Sequence, residues 1–197
     1  HRDKLRDEET NLWVHGWDAD TKNHFCFCSQ QAWPDKESRK SKEIWGRGNG
    51  WIIVTLSDIL QTLPKDHPHW KEFSNYLLEM VENLPELQDE ETGHWYQLAA
   101  KKDNPNNYIE SSATAMFAYG ITSALKLGLI EGERYQKSTD LAYDGLRKYS
   151  IKQKSEEYLT TKNVCKGTCI GDEKYYLKRN VKEGRSYGLG SFIQFGL

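Results

Sequence analysis

Apolar residues recur at every third or fourth position in two stretches of the chain, which is the spacing of one buried helix face. The first stretch predicts a helix over residues 50–63 that ends before Pro64. The second predicts a helix over residues 69–84, with Pro68 at its start and Pro85 at its end. The apolar positions are Ile53, Leu56, Ile59, Leu60 and Leu63 in the first stretch and Trp70, Phe73, Leu77, Leu78 and Val81 in the second.

Two more helices are predicted over residues 111–128 and 132–150. Ser111 or Ser112 is the expected N-cap of the first, and Gly128 is its expected C-cap. Residues 164–179 predict a short hairpin or an extended loop, and a final helix is expected from about residue 187. The predicted fold class is therefore all-α, with a short β-hairpin near the C-terminus.

A nine-residue segment occurs twice in the chain. LRDEETNLW at residues 5–13 recurs as LQDEETGHW at residues 87–95, with six of nine positions identical. In both copies a turn leads into an aromatic-rich extended segment, and Asn11 or Gly93 supplies the left-handed residue that such a turn favours. The repeating unit is thus loop, helix, helix, with the long aromatic loops at one end. Such repeats favour stacked or toroidal helical hairpins, and we interpret the chain as the back half of a helical barrel.

The near-equal numbers of acidic and basic residues argue against some classes of binding partner. The chain has 197 residues, with 27 Lys and Arg against 29 Asp and Glu, which argues against a nucleic-acid partner or an anionic membrane surface. No apolar run approaches the roughly 18 residues that cross a bilayer. Aromatic residues make up 12% of a chain whose mean hydropathy is only −0.82. That combination is typical of proteins that hold sugars against aromatic rings, and an aromatic-rich core is the equally open alternative.

The four cysteines do not indicate in which cellular compartment the protein works. Cys26 and Cys28 form a C-x-C pair beside His24. Cys165 and Cys169 are separated by three residues. Neither spacing is that of a zinc ribbon, so free thiols are favoured over a zinc site, and a disulfide stays open if the protein is exported. The chain begins without an initiator methionine, which we interpret as a piece of a longer protein whose targeting is unknown.

Six motifs follow one another along nearly the whole chain. They are HGWD at 15–18, WGRGNGW at 45–51, TGHWYQ at 92–97, YIESSATAMFAYG at 108–120, VCKGT at 164–168 and YGLGSF at 187–192. Together they resemble the unsaturated rhamnogalacturonyl hydrolases of glycoside hydrolase family 105. The related unsaturated glucuronyl hydrolases share much of the pattern, so the resemblance indicates the family and leaves the exact substrate open.

The resemblance implies an (α/α)6 barrel, of which residues 1–197 would be the C-terminal half of a single catalytic domain. It implies action on oligosaccharides left by polysaccharide lyases, rhamnogalacturonan-type above all, whose non-reducing end is a 4,5-unsaturated uronic acid. An aspartate protonates the C4=C5 enol ether, water adds at C5, and the hemiketal collapses to release the next sugar, without the nucleophilic carboxylate of ordinary retaining glycosidases. In the family this aspartate lies well upstream of the H-x-W-D motif, so it is expected before His1 and is not assigned to Asp18. No metal or organic cofactor is implied.

The WGRGNGW motif supplies three predicted substrate contacts. A guanidinium grips a planar carboxylate with two parallel hydrogen bonds, so Arg47 is expected to bind the uronate, and a surface ion pair with Glu43 is the alternative. Trp45 and Trp51 are expected to be walls against the sugar ring. Core packing is the alternative for both indoles, and for Trp51 the two alternatives are nearly balanced.

The aromatic loops supply the other predicted substrate contacts. His15 is expected to hydrogen-bond the uronate or the attacking water, and Trp17 belongs to the same HGWD motif. Asp18 is expected to orient His15 or Arg47, or else to serve as a turn or cap. Trp95 and Tyr96 occupy the second loop and are expected either to form a subsite for the leaving sugar or to pack the loop. Glu110, Ser111 and Ser112 are expected to shape the start of a helix first and a pocket second.

Two other functions stay open. A non-catalytic, carbohydrate-binding half-barrel would keep the aromatic loops without the acid, and a gene that begins near His1 would favour it. A different (α/α)6 enzyme, such as a sugar epimerase, is disfavoured by WGRGNGW. The leaving sugar and the oligomeric state are undetermined, and export to a periplasm is weakly favoured over the cytoplasm because lyase products are often processed there.

Overall fold

The structure, a computed structural model, describes residues 2–19 and 33–196. Within these ranges the chain is mainly helical, with two pairs of short antiparallel strands. No helix in the described part of the chain is both long and apolar enough to cross a membrane. The elements are α1 (Arg2–Leu5), α2 (Gly46–Thr62), α3 (Trp70–Glu82), α4 (Leu84–Leu87), α5 (Ser111–Leu127), α6 (Glu133–Gly145), a π-helical turn (Leu146–Ser150), β1 (Ile151–Gln153), β2 (Leu159–Thr161), β3 (Val164–Cys165), α7 (Glu173–Leu177), β4 (Val181–Lys182) and α8 (Ser186–Phe195).

Helix α5 is the centre of the fold. It packs against α2, α3, α6 and α8, and most of its side chains are buried. Small residues let α2 and α5 approach closely. A Cβ at Gly120 would lie 2.1 Å from Cγ2 of Ile53, and one at Gly50 would lie 2.6 Å from Sδ of Met116. The sequence therefore fixes the spacing of these two helices, and α2 carries the WGRGNG segment at its N-terminal end.

The predicted helices are confirmed, with shifted ends. Helix α2 starts at Gly46, one turn before the predicted start, because the glycine-rich segment is itself helical. The helix predicted over residues 69–84 ends at Glu82, and Pro85 lies within the separate short helix α4. The prediction of residues 132–150 as one helix is correct except that its last five residues form a π-helical turn.

Of the two predicted caps of α5, one is confirmed and the other is wrong. Gly128 is the C-cap with φ 70°, as predicted. The predicted serine N-cap is wrong, because Glu110 is the N-cap and its carboxylate accepts a hydrogen bond from the main-chain N–H of Ala113. A longer carboxylate side chain reaches back to the first turn and also brings a negative charge to the positive end of the helix.

The C-terminal segment is more complex than a single hairpin. Residues 164–179, predicted as a short hairpin or an extended loop, contain β3 and helix α7, and β3 pairs with β4, which lies just beyond this range. A second antiparallel pair, β1 with β2, precedes it and was not predicted. This segment folds back over the N-terminal ends of α2 and α5, and its contacts there help to build the site.

The sequence repeat is also a structural repeat. In the first copy, Oδ1 of Asp7 accepts hydrogen bonds from the main-chain N–H and the hydroxyl of Thr10, at 2.9 and 2.7 Å. In the second copy, Oδ1 of Asp89 accepts the same two bonds from Thr92, at 2.8 and 2.6 Å. The residue after each threonine has a positive φ, as predicted. The two copies are thus the same aspartate-centred turn.

Each copy is fixed to the fourth residue of the helix that follows it. The main-chain N–H of Trp13 donates to Oδ1 of Asn49 at 2.7 Å. The main-chain N–H of Trp95 donates to the hydroxyl of Thr114 at 3.0 Å. Asn49 and Thr114 occupy equivalent positions in α2 and α5, so the loop, helix, helix unit predicted from the repeat is confirmed at the level of individual hydrogen bonds.

Candidate functional site

The first aromatic loop and the N-terminus of α2 bring together three predicted site residues. The ring centroids of His15 and Trp45 are 4.5 Å apart, and Cζ of Arg47 lies 5.0 Å from the Trp45 ring. The main-chain N–H of His15 donates to the carbonyl of Glu43 at 3.0 Å, which holds the loop against the segment that enters α2. We call His15, Trp45 and Arg47 the central cluster.

Trp45 is the N-cap residue of α2 and is 8% exposed. Its indole N–H donates to the side-chain oxygen of Gln97 at 3.3 Å, and the main-chain N–H of Gly46 donates to the carbonyl of the same residue at 2.9 Å. The amide of Asn49 donates to the carbonyls of Trp13 and Trp45, at 2.8 and 3.1 Å. The indole plane is therefore set by main-chain anchors on both sides and has little freedom to rotate.

Arg47 is 2% exposed, and its guanidinium is bound by the protein itself. It donates to the carbonyls of Cys165 and Lys166, at 2.7 and 2.8 Å, and lies 3.3 Å from the carboxylate of Glu110. The alternative of a surface arginine paired with Glu43 is wrong, because Glu43 pairs with Lys101 instead, at 2.9 Å. In this arrangement Arg47 ties α2 to the segment around β3, and its contact with a substrate carboxylate stays a prediction.

Glu110 is fully buried and has all of its acceptor capacity engaged. Besides Ala113, it accepts from the main-chain N–H of Cys165 at 2.8 Å and from the hydroxyl of Ser112 at 2.8 Å. The positive charge of Arg47 balances its negative charge, which a buried carboxylate requires. Glu110 is therefore a structural anion that caps α5 and holds Arg47, as its expected role at the helix start implied.

His15 has a partner that sequence reasoning missed. Its Nδ1 lies 2.6 Å from the hydroxyl oxygen of Tyr176, which is fully buried in α7. Burial lowers the pKa of His15 to about 4, so the ring is neutral near pH 7. Burial also raises the pKa of Tyr176 far above its usual value, against smaller opposing effects of hydrogen bonds from Gly171 and Ser41. No local signal ties residue 176 to residue 15, since the contact spans 161 positions.

Trp17 and Asp18 follow His15 in the first aromatic loop. Two cations lie near the Trp17 ring, with Nζ of Lys4 at 5.0 Å and Cζ of Arg39 at 5.2 Å from its centroid. Asp18 lines a cleft of about 800 Å3 together with Trp33, Arg39 and residues of both charges near Asp172. Asp18 thus belongs to a neighbouring cleft, and Trp17 contacts the basic side chains of Lys4 and Arg39.

Trp51 is the most open of the predicted residues, with 46% of its surface exposed. Within the described residues Trp51 is therefore not part of the core, and its contact with a sugar stays a prediction. It lies four residues after Arg47 on α2, hence on the same side of the helix one turn later. An exposed indole next to a polar cluster is the arrangement that a sugar-stacking residue requires.

Trp95 and Tyr96 lie apart from the central cluster. Trp95 is fully buried, packs edge-on against Phe117 and donates its indole N–H to the carbonyl of Leu84 at 2.8 Å. This placement agrees with one of the two roles expected of Trp95, the packing of the loop. The hydroxyl of Tyr96 donates to Asp89 at 2.9 Å, and the pKa of Tyr96 rises to about 12, first through burial and then through this bond.

The cysteines divide into two groups. Cys26, Cys28 and His24 lie outside the described residues. Cys165 and Cys169 are free thiols, as favoured from the sequence. Cys165 is buried, and its sulfur lies 3.1 Å from the side-chain nitrogen of Gln97. Over residues 2–19 and 33–196, no group of three or more His, Cys, Asp or Glu side chains is arranged to hold a metal ion.

Comparison with known proteins identifies relatives across the whole chain. The sequence model of Glycosyl Hydrolase Family 88 matches residues 1–197. The unsaturated rhamnogalacturonyl hydrolase YesR of Bacillus subtilis (strain 168) is 33% identical over 127 residues, which are 64% of this chain and 31% of that protein. The 24.9 kDa protein in the picA locus of Rhizobium radiobacter is 36% identical over 124 residues, 62% of this chain and 48% of the relative.

A solved structure shares the fold. A family 105 glycoside hydrolase from C. acetobutylicum ATCC 824 superposes with a TM-score of 0.84 at 25% identity, covering 98% of this chain and 53% of that chain. The chain therefore spans about half of that structure and at most about half of the two curated relatives above.

Proposed function

Because the chain belongs to Glycosyl Hydrolase Family 88, we propose that it forms part of an enzyme that removes a 4,5-unsaturated uronic acid from lyase-generated oligosaccharides. A rhamnogalacturonan-type substrate is the first choice, since the relative YesR is an unsaturated rhamnogalacturonyl hydrolase. The single observation that carries the proposal is the central cluster, in which the Trp45 indole has the His15 imidazole at 4.5 Å and the Arg47 guanidinium at 5.0 Å, from two motifs that are distant in sequence.

We also propose that residues 1–197 are the C-terminal half of one (α/α)6 barrel domain. The helix pairs α2–α3 and α5–α6 repeat the loop, helix, helix unit. The solved family 105 hydrolase accommodates 98% of this chain in 53% of its own length, as a half-barrel would require. The remaining hairpins would then precede His1 and close the barrel around the exposed indole of Trp51.

The proposed acid is an aspartate in that preceding half. Both buried carboxylates of the described residues are held in ion pairs, Glu43 with Lys101 and Glu110 with Arg47. Each is held by a partner within the protein, so neither is assigned as the acid that protonates C4 of the enol ether. In the proposed reaction the aspartate gives a proton to C4, water adds at C5, and the resulting hemiketal collapses with release of the next sugar.

The central cluster would recognise the uronate end of the substrate. Neutral His15 has a hydrogen-bonding ring nitrogen for a carboxylate or hydroxyl oxygen. Trp45 and Trp51 would cover the apolar face of the sugar ring, and Arg47 adds positive potential beneath the site even with its donors engaged. Trp17 and Asp18 would face the approach to the cleft beside it, while the roles of Trp95 and Tyr96 would be to support the loop.

The test is the ultraviolet absorbance of an unsaturated uronyl-rhamnose disaccharide mixed with the full-length gene product. The conjugated enol ether absorbs and its hydration product does not, so steady loss of absorbance is expected. Substitution Trp51→Ala is expected to slow the reaction about tenfold, which corresponds to the roughly 1.4 kcal/mol of one aromatic contact. The matched control is Tyr158→Ala, which removes another exposed ring in the β1–β2 connection and should leave the rate unchanged. Unchanged absorbance with the full-length product would refute the proposed reaction and favour a sugar-binding role.

A further inference from the structure

The hydrogen bond between His15 and Tyr176 has a direction that the surrounding groups determine. The main-chain N–H of Gly171 donates to the hydroxyl oxygen of Tyr176, at 3.4 Å. A main-chain N–H can only donate, so this bond uses a lone pair of the phenol and leaves the phenolic proton for another acceptor. The hydroxyl of Ser41 also hydrogen-bonds to this phenol, and together with Gly171 it occupies both lone pairs of the oxygen. Nδ1 of His15, 2.6 Å away, is then the acceptor for the phenolic proton.

We propose that Tyr176 is a positioning residue that fixes the tautomer of His15. The phenol donates to Nδ1, so the neutral ring carries its proton on Nε2 and presents an N–H donor to the bound sugar. The ligand oxygen it meets is an acceptor, such as the uronate carboxylate. The role towards the ligand rests on the proposed function, whereas the tautomer itself depends only on the geometry around Tyr176.

The phenol is held in place from several directions. Tyr176 is fully buried and packs with Trp45 and Leu98 in one apolar cluster. Helix α7 is capped by Asp172, whose carboxylate accepts from the main-chain N–H of Tyr175 at 2.8 Å. A phenol that cannot rotate away keeps its proton directed at Nδ1. His15 therefore receives a fixed partner on one nitrogen, and its orientation is set before any ligand binds.

His94 provides an internal reference with the opposite tautomer. Its Nδ1 lies 2.9 Å from the carbonyl oxygen of Thr92, which can only accept, so Nδ1 carries the proton. Its Nε2 lies 2.7 Å from the hydroxyl of Ser150 and accepts from it. Burial, as the largest effect, lowers the pKa of His94, so both histidines are neutral near pH 7.

The test is a nitrogen-15 spectrum of the intact protein labelled at histidine, recorded near pH 7, in which protonated and unprotonated ring nitrogens have well-separated shifts. The variants His15→Gln and His94→Gln assign the two rings. The expected result is a proton on Nε2 of His15 and on Nδ1 of His94. In Tyr176→Phe the His15 signals should move towards a mixture of tautomers while those of His94 stay. A proton on Nδ1 of His15 in the unmodified protein, or an unchanged tautomer in Tyr176→Phe, would overturn the proposal.

Enzyme kinetics with the full-length product then test the consequence for the ligand. Tyr176→Phe is expected to lower kcat/KM about tenfold, the loss of roughly one oriented hydrogen bond. Tyr175→Phe is the matched control, because it removes the neighbouring phenol of the same helix, whose hydrogen-bond partner is Cys169 rather than a histidine. An equal loss in both variants would contradict the positioning role. Absence of activity in the unmodified enzyme would refute the proposed function alone, since the spectrum decides the tautomer separately.

Discussion

The two copies of the aspartate-centred turn share their hydrogen bonds and differ in what covers them. The second copy lies under α6, where Gly93 and Trp95 are both buried and the amide of Gln88 donates to the carbonyl of Ser138. The first copy has no such cover from the described residues, and Trp13 is only partly buried. The same local sequence therefore serves once as a core element and once as the support of the loop that carries His15, which the proposed function places against the ligand.

The two loops also differ in whether their histidine has a ring nitrogen available to a ligand. Each loop carries one histidine, at non-equivalent positions, since His94 aligns with Leu12 and His15 aligns with Gln97. His94 is fully buried, and both ring nitrogens have protein partners. In the first copy His15 is partly exposed and has one nitrogen bound to Tyr176. A histidine with one fixed nitrogen is suited to recognise a ligand, while one with two is suited to lock a core.

The largest expected difference between the copies concerns their tryptophans. Trp95→Ala removes a fully buried indole together with its bond to Leu84, so we expect a loss of about 4 kcal/mol of unfolding free energy. Trp13→Ala removes a partly buried indole and should cost about half as much. Denaturant unfolding of both variants measures this. Equal losses would contradict the assignment of the second copy to the core.

The residue after each threonine gives the next largest contrast. A Cβ at Gly93 would lie 2.1 Å from the carbonyl oxygen of Leu141 in α6, so Gly93→Asn should destabilise the protein by about 3 kcal/mol. The reverse exchange, Asn11→Gly, keeps the positive φ and removes one hydrogen bond from Arg6, at a cost of about 1 kcal/mol. Equal changes in melting temperature in the two variants would contradict the idea that packing under α6 distinguishes the two copies.

The pH dependence of stability separates the two histidines. The pKa of His15 is lowered in the folded state from 6.5 to about 4, so the unfolded chain binds more protons between these values. Stability from this group is present above pH 6.5 and is lost as the pH falls towards 4, by about 3 kcal/mol. His15→Gln should remove that part of the slope and leave the part that His94 contributes in the same direction. An unchanged slope in His15→Gln would show that the ring is not buried in its neutral form.

The smallest expected effect concerns Tyr96, which has Val14 as its counterpart in the first copy. Tyr96→Phe removes the bond to Asp89 and should lower the unfolding free energy by about 1 kcal/mol without changing kcat/KM. Unfolding curves and initial rates on the same preparation give both numbers. A tenfold lower kcat/KM with unchanged stability would instead place Tyr96 in a subsite for the leaving sugar.

Local pattern predicts much of this fold and less of the site. The three- and four-residue spacing around Ile53 and Leu77 gives the helices, and the DEET repeat gives both turns, because these signals depend on neighbours in sequence. The start of α2 at Gly46 was missed because a glycine-rich segment has low intrinsic helix propensity, and the packing against α5 compensates for it.

The hydrogen-bond partners of the predicted site residues cannot be predicted from the neighbouring sequence. Tyr176 for His15 and the carbonyl of Cys165 for Arg47 are each more than a hundred positions away, and neither residue type signals the contact. Trp95 and Trp51 also show the limit of composition, because one indole is fully buried and the other is 46% exposed. Only the packing of α2, α5 and α6 decides between these outcomes.

One titration tests the central claim most directly. An unsaturated uronyl disaccharide is added to the full-length product carrying nitrogen-15 histidine, with an inactive acid variant used if turnover is fast. The account predicts a saturable shift of the His15 signals and no shift of the His94 signals, because the first copy meets the ligand and the second lies in the core. Saturable shifts at His94 with none at His15, or no shifts at either ring, would contradict it.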